Sequence, residues 1–182
     1  MLTTYTKAQL MTQWRLRRGL EPMRGDVTVE LDGIDTEAID EAEMMDWWHH
    51  VVATAPAGML EAKDVSIRCS TKAANGGGTD VELPMAVGGR RVTEVRLSGW
   101  KREGMLVAPD SHEAALQRWE YTQAGRENPV AVVISPNIIR CFPAGEDVEC
   151  LRMITDGDGE NFTMDSGLLV TMGRWKGCGD VS

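Results

Sequence analysis

Three histidines and four cysteines are all that 182 residues provide of the commonest metal ligands and redox groups, and neither set is spaced for chemistry. Cys69, Cys141, Cys150 and Cys178 are scattered without a C-x-x-C pair. That excludes the local signature of a zinc framework or a dithiol redox site, and it suits free thiols buried as small hydrophobes in a reducing compartment. His49 and His50 are adjacent; on a helix they point about 100° apart, whereas two ligands of one ion need the i, i+4 spacing. His112 falls at the start of a predicted helix, where a polar surface residue is the common case. The chain also lacks any window approaching the roughly 18–20 consecutive apolar residues of a membrane span. No apolar signal core follows its first charges, so it is expected to stay where it is made, with no membrane partner.

Other chemical signatures are missing too. There is no G-x-S-x-G, and the glycine clusters at 76–78 and 88–89 lack the Gly-Lys-Ser/Thr ending that closes a phosphate loop. Asp156-Gly157-Asp158-Gly159-Glu160 has the alternating acids of a calcium loop. However, Asn161 stands where the glycine belongs and Gly167 where the bidentate glutamate belongs. A solvated hairpin loop explains it better, with an adventitious cation between the acids as the alternative. No catalytic residue, metal ligand or cofactor site is therefore assigned; a triad assembled from distant residues is the enzymatic reading left open.

Excess positive charge is missing as well. The net charge is −9 and the isoelectric point about 4.8, which argues against a general nucleic-acid binder because phosphate neutralisation requires a basic face. The charge is unevenly placed. Residues 1–24 hold Lys7, Arg15, Arg17, Arg18 and Arg24 against Glu21 alone, while residues 26–64 hold eleven acids against Lys63. Such polarity either steers one subunit onto another or lets the first segment lie across the second within one chain.

What is present is an ordinary globular composition, 42% apolar and 26% charged, at a length suited to one domain over residues 1–182. Residues 1–24 stand out as a basic N-terminal arm or helix. Six of the ten aromatic residues are Trp, which fit cores and subunit contacts alike. Thr6-Lys7-Ala8-Gln9 has the form of a capping box opening a first helix that runs to Arg18 before Gly19 and Pro22, with Leu10 and Trp14 on one face. Val27 to Leu31 alternates as a short strand ending in an Asp32-Gly33 turn. A second helix starts near Asp35 or Thr36 and runs to Pro56. Its residues Met44, Trp47 and Val51 widen the apolar stripe beyond one core face, so it is buried on two sides, within the fold or against another subunit.

From Val65 the period becomes two. Val65, Ile67 and Cys69 predict a strand, followed by the glycine loop 76–78 and a return strand Val81 to Leu83 closed by Pro84. Val92, Val95 and Leu97 mark another strand, turned at Ser98-Gly99-Trp100 to Gly104 into Met105-Leu106-Val107 as a second hairpin. Asp110 and Glu113 at capping-box spacing open a third helix reaching toward Gly125. Val130 to Ile134 reads as a buried strand turned by Ser135-Pro136-Asn137 into Ile138 to Phe142. Glu149 to Ile154 and Leu168 to Met172 are further strands, separated by a loop from Thr155 to Gly167. The class predicted is α+β, with antiparallel strands and hairpins and about three helices, two N-terminal and one central.

The stretch from 83 to 133 carries a resemblance. Leu83-Pro84, then Arg91-Val92-Thr93-Glu94-Val95-Arg96-Leu97-Ser98-Gly99-Trp100-Lys101-Arg102, then Gln117 and Trp119, then Asn128-Pro129-Val130 is similar in rhythm to head-to-tail connector, or ring, proteins of tailed phages. The resemblance implies a non-enzymatic virion component of the neck, made in a host bacterial cytoplasm. It would be present as a homo-oligomeric ring between portal and tail proteins, without cofactor, and would let DNA pass without sequence-specific binding. A ring needs two different complementary patches on each subunit. Trp14, Arg15, Arg17 and Arg18 on the basic helix and Met44, Trp47 and Trp48 on the acidic one are the candidate assembly residues, aromatics and Arg being frequent interface anchors. The alternative is a small protein-binding module, monomeric or dimeric, using the same Trp-rich surface.

Overall fold

A computed structural model of the chain describes residues 1–19, 36–84 and 90–176. The expected strand Val27 to Leu31, its turn, Arg24, the Gly88-Gly89 pair and Cys178 lie outside the described residues. The fold is α+β with largely antiparallel sheets, as the pattern predicted. It divides into two compact units: unit 1 comprises 1–61 and 155–182, and unit 2 comprises 62–154. The charge divides with them. Unit 2 carries twelve basic and twelve acidic side chains, so the whole of the net −9 rests on unit 1, with seven basic and sixteen acidic.

Unit 1 begins with strand β1 (Leu2–Thr6), which runs directly into helix α1 (Lys7–Arg17). The junction is the predicted capping box: Gln9 N donates to Thr6 Oγ1 at 3.3 Å and Thr6 N to Gln9 Oε1 at 3.0 Å. Helix α2 (Thr36–Thr54) buries Met44, Trp47, Trp48, Val51 and Val52. Late in the chain β10 (Asn161–Asp165) pairs antiparallel with β1, Leu2 opposite Asp165 and Thr6 opposite Asn161. Two readings change here. The stretch 155–167 is not a continuous loop, because its second part is β10; the acidic turn shrinks to residues 156–160. Leu168 to Met172 is not a strand but lies in a 3-10 stretch, Ser166–Arg174, started by Gly167 N donating to Asp165 Oδ1 at 2.9 Å. The residues it buries, Leu168, Leu169 and Met172, follow a helical spacing, which alternation alone misreads.

Unit 2 holds two sheets over one core. β3 (Ser70–Ala73), β4 (Thr79–Glu82), β8 (Ile138–Phe142), β7 (Val130–Ser135) and β6 (Met105–Val107) form the first in that spatial order. β2 (Lys63–Asp64), β9 (Val148–Thr155) and β5 (Arg90–Leu97) form the second. Val81, Ile139, Cys141 and Ala131 from the first sheet and Val95, Leu97, Leu151 and Met153 from the second belong to one buried cluster with Val65 and Trp100. The β3–β4 hairpin turns on Gly76 and Gly77, whose φ of +93° and +88° lie where side-chain-bearing residues are strained. Asp80 and Arg140, opposite each other on β4 and β8, close a bidentate pair at 2.7 and 2.9 Å.

Three expectations are corrected in this unit. Val65 to Cys69 is not extended: Ser66–Arg68 forms a 3-10 turn because Asp64 Oδ1 accepts from both Ser66 N (2.9 Å) and Ser66 Oγ (2.7 Å), a local bond that competes with strand pairing. β5 and β6 do not make a hairpin ladder. β6 pairs instead with β7, in parallel, and the two are joined through the short helix α3 (His112–Leu116). Finally, α3 is capped by Ser111 rather than Asp110, its Oγ accepting from Ala114 N at 3.1 Å, and it ends at Leu116 well short of Gly125.

Candidate assembly surface

The residues proposed for assembly from the sequence occupy one place in unit 1. Trp14, Met44, Trp47 and Trp48 are all buried, at 0–3% exposure. Their rings form a continuous chain: Trp14 to Trp47 at 6.3 Å between centroids, Trp47 to Trp48 at 6.3 Å, and Trp48 edge-on to Phe162 at 5.3 Å. Trp47 Nε1 donates to Thr171 Oγ1 at 2.9 Å and Trp48 Nε1 to the Asp156 carbonyl at 2.9 Å. Trp14 Nε1 is buried without a hydrogen-bond partner, so this ring contributes through its area. The apolar excess of α2 is thus covered within the chain.

The charge polarity is also consumed locally. Lys7 meets Glu41 at 2.6 Å, Arg15 meets Asp40 at 3.0 Å, and Arg18 meets Glu43 at 2.9 Å while its guanidinium carbon lies 4.8 Å from the centre of the Trp14 ring. The basic helix therefore lies along the acidic one. Arg17 is the exposed member of the set. In the acidic turn, Asp158 accepts from the backbone of Glu160 and Asn161, both at 2.9 Å, and these bonds hold its carboxyl below the usual range. Among the described residues no group of three His, Cys, Asp or Glu side chains is arranged to hold a metal ion.

The large aromatic surface lies in unit 2, on a loop the sequence did not single out as such. Trp119 is 71% exposed and Tyr121 99%. Both project from residues 118–123, and this loop is tied at its ends by Gln117, which is itself buried. Gln117 Nε2 donates to Glu113 O (2.9 Å), its Oε1 accepts from Ala124 N (2.7 Å), and its carbonyl accepts from Gln123 Nε2 (3.1 Å). Gln123 also donates to the Gly76 carbonyl of the β3–β4 hairpin at 2.6 Å. One buried amide thus ties both ends of the loop together. A loop tied at both ends has less backbone freedom to lose on binding.

Beside the loop is a cleft of about 480 Å³ floored by Pro109, Ala114, Val132 and Phe142 and edged by Arg118 and Arg140. A more polar cleft of about 570 Å³ is lined by Arg96, Lys101, Arg102, Glu103 and Asn128. There Arg96 faces Glu149 at 3.1 Å and Lys101 pairs with Glu127.

Of the described thiols, Cys141 is buried and Cys69 and Cys150 are half-buried. Burial pushes the Cys141 thiol up to about 12, and burial together with the Glu94 carboxylate, 3.2 Å away, pushes Cys150 up to about 11. Burial raises Cys69 as well. Site-resolved alkylation at pH 8 is therefore expected to leave Cys141 unmodified until denaturant is added; rapid labelling of Cys141 in the folded protein would show the first sheet of unit 2 opening readily.

No protein-family model, curated protein or solved structure matches this chain.

Proposed function

We propose that the chain is a non-catalytic structural protein, a head-to-tail connector or adaptor ring subunit of a tailed phage, present in many copies in the virion neck. The observation that carries the reading is the Trp119–Tyr121 loop. It lies inside the stretch that resembles connector proteins, and hydrogen bonds of Gln117 tie together the ends of a loop on which two large rings stand exposed. Exposed large aromatics are frequent anchors of a contact with another chain. Portal and tail proteins are the partners this reading names above and below the ring, with DNA passing through without sequence-specific contacts. Unit 1, which holds all the net negative charge, is the portion suited to face that DNA without retaining it.

Light scattering on the purified chain, with particles viewed by negative-stain microscopy, tests the proposal. A closed ring is expected, and the double substitution Trp119→Ser, Tyr121→Ser is expected to shift it toward monomer while leaving the melting temperature unchanged. A monomer or simple dimer at every concentration would overturn the ring and favour a small protein-binding module. Point changes are the right probe, because removing residues 1–24 would strip β1 and α1 from the core of unit 1.

A further inference from the structure

The ring reading leaves open what receives the aromatic loop, and unit 2 offers a matching receptor of its own. We infer that the Trp119-Glu120-Tyr121 knob of one copy docks into the cleft between Arg118, Pro109, Val132 and Phe142 of a second copy of this chain. The inference rests on the ring reading and specifies its contact.

Three features of knob and cleft correspond. The cleft, about 480 Å³, is of the size that encloses small ligands and so accommodates one indole or phenol ring. Its floor is apolar, made by Ala114, Val132 and Phe142, which belong to one small buried cluster, while its rim carries guanidinium groups, which stack on aromatic faces. The charges are opposite in sign. Glu120, exposed between the two rings, and Arg118, exposed on the rim, form no ion pair with each other or with any other described residue. Arg140 is already engaged by Asp80 at 2.7 and 2.9 Å, so Arg118 is the rim cation available to an incoming carboxylate. The knob and the recess are neighbouring but distinct features of unit 2, so the knob of one copy in the recess of the next is a head-to-tail contact, which closes into a ring where the rotation between copies returns to its start.

Charge reversal tests the contact. Glu120→Arg and Arg118→Glu, each alone in the full chain, are expected to weaken self-association by about tenfold or more, since each sets like charges against one another. The double variant Glu120→Arg, Arg118→Glu restores the pair with the signs exchanged and is expected to recover the parental assembly. Both positions are exposed, and circular dichroism should confirm unchanged folding. If the chain assembles but neither single reversal affects the mass, the ring stands and this contact is wrong. If both singles dissociate it and the double does not recover, the knob and the rim each meet a different partner, and the inference fails. A chain that is monomeric throughout removes the ring reading itself, and the inference with it.

Discussion

Replacing Trp47 by alanine is expected to cost about 3–5 kcal/mol of stability, the range for truncating a fully buried large aromatic. Trp47 is 1% exposed, sits between the Trp14 and Trp48 rings, and spends its indole N–H on Thr171. Its removal therefore takes away packing on two sides and leaves a cavity in the middle of unit 1 that helices α1 and α2 cannot both collapse to fill. Thr171→Val is the informative comparison, because it opens no large cavity and deletes the hydrogen bond from Trp47 together with the one Thr171 Oγ1 donates to the Leu168 carbonyl at 2.7 Å; it should cost about 1–3 kcal/mol. Urea unfolding followed by circular dichroism separates the two. Similar small losses for both variants would mean that the Trp chain is not what holds unit 1 together. Trp14→Ala should resemble Trp47→Ala, and the two combined should fall short of their sum, since the rings touch.

The periodicity of the apolar residues was enough to place most of the helices and strands. Thr6 and Gln9 announced the start of α1, Ser135-Pro136-Asn137 the β7–β8 turn, and the apolar run 130–134 a central strand, because each of these signals is local and the fold agrees with it. The misreadings arise where a local side-chain bond or a distant partner decides. Asp64 bends residues 66–68 out of an alternating pattern, and only the position of Ser66 two residues along hints at it. β1 and β10 are five residues each and lie at opposite ends of the chain, so neither gains a hairpin signature. β6 pairs in parallel with β7, and adjacency in sequence favours β5 as its partner instead.

The candidate surface was harder to read for a related reason. Trp14 looks the same in sequence as Trp119, a large ring near arginines, and composition does not distinguish a ring that is buried from one that is held out. What separates them is Gln117. A glutamine in a helical pattern reads as a surface residue, yet here it is buried and satisfies Glu113 O and Ala124 N, so the chain leaves the helix after Leu116 and turns Trp119 to solvent. The basic arm beside an acidic helix was legible from the start; whether the two met within one chain or across two depended on the pairing of Lys7, Arg15 and Arg18.

The second large effect is expected from the smallest change, Gly78→Ala. A Cβ at Gly78 would lie 2.8 Å from Phe142 Cε1 and 2.9 Å from the Cys141 carbonyl oxygen. The carbonyl cannot withdraw easily, because Cys141 is paired on both sides, with Thr79 of β4 and Ala131 of β7. The ring of Phe142 can move, but only by disturbing the floor of the cleft beside Trp119. The added methyl group should therefore cost about 1–3 kcal/mol, as overpacking of a close-packed site does, and the same variant should weaken self-association. Gly125→Ala is the control. Nothing lies within 4 Å of a Cβ there and its φ is not positive, so the substitution should be neutral or stabilise by about 0.4–1 kcal/mol through the unfolded chain. Melting temperatures and light-scattering masses of the two variants decide the matter. If Gly78→Ala lowers stability while leaving the assembly intact, the Phe142 floor takes no part in the contact between copies; if both fall together and Gly125→Ala changes neither, the cleft and the packing beneath it act as one surface.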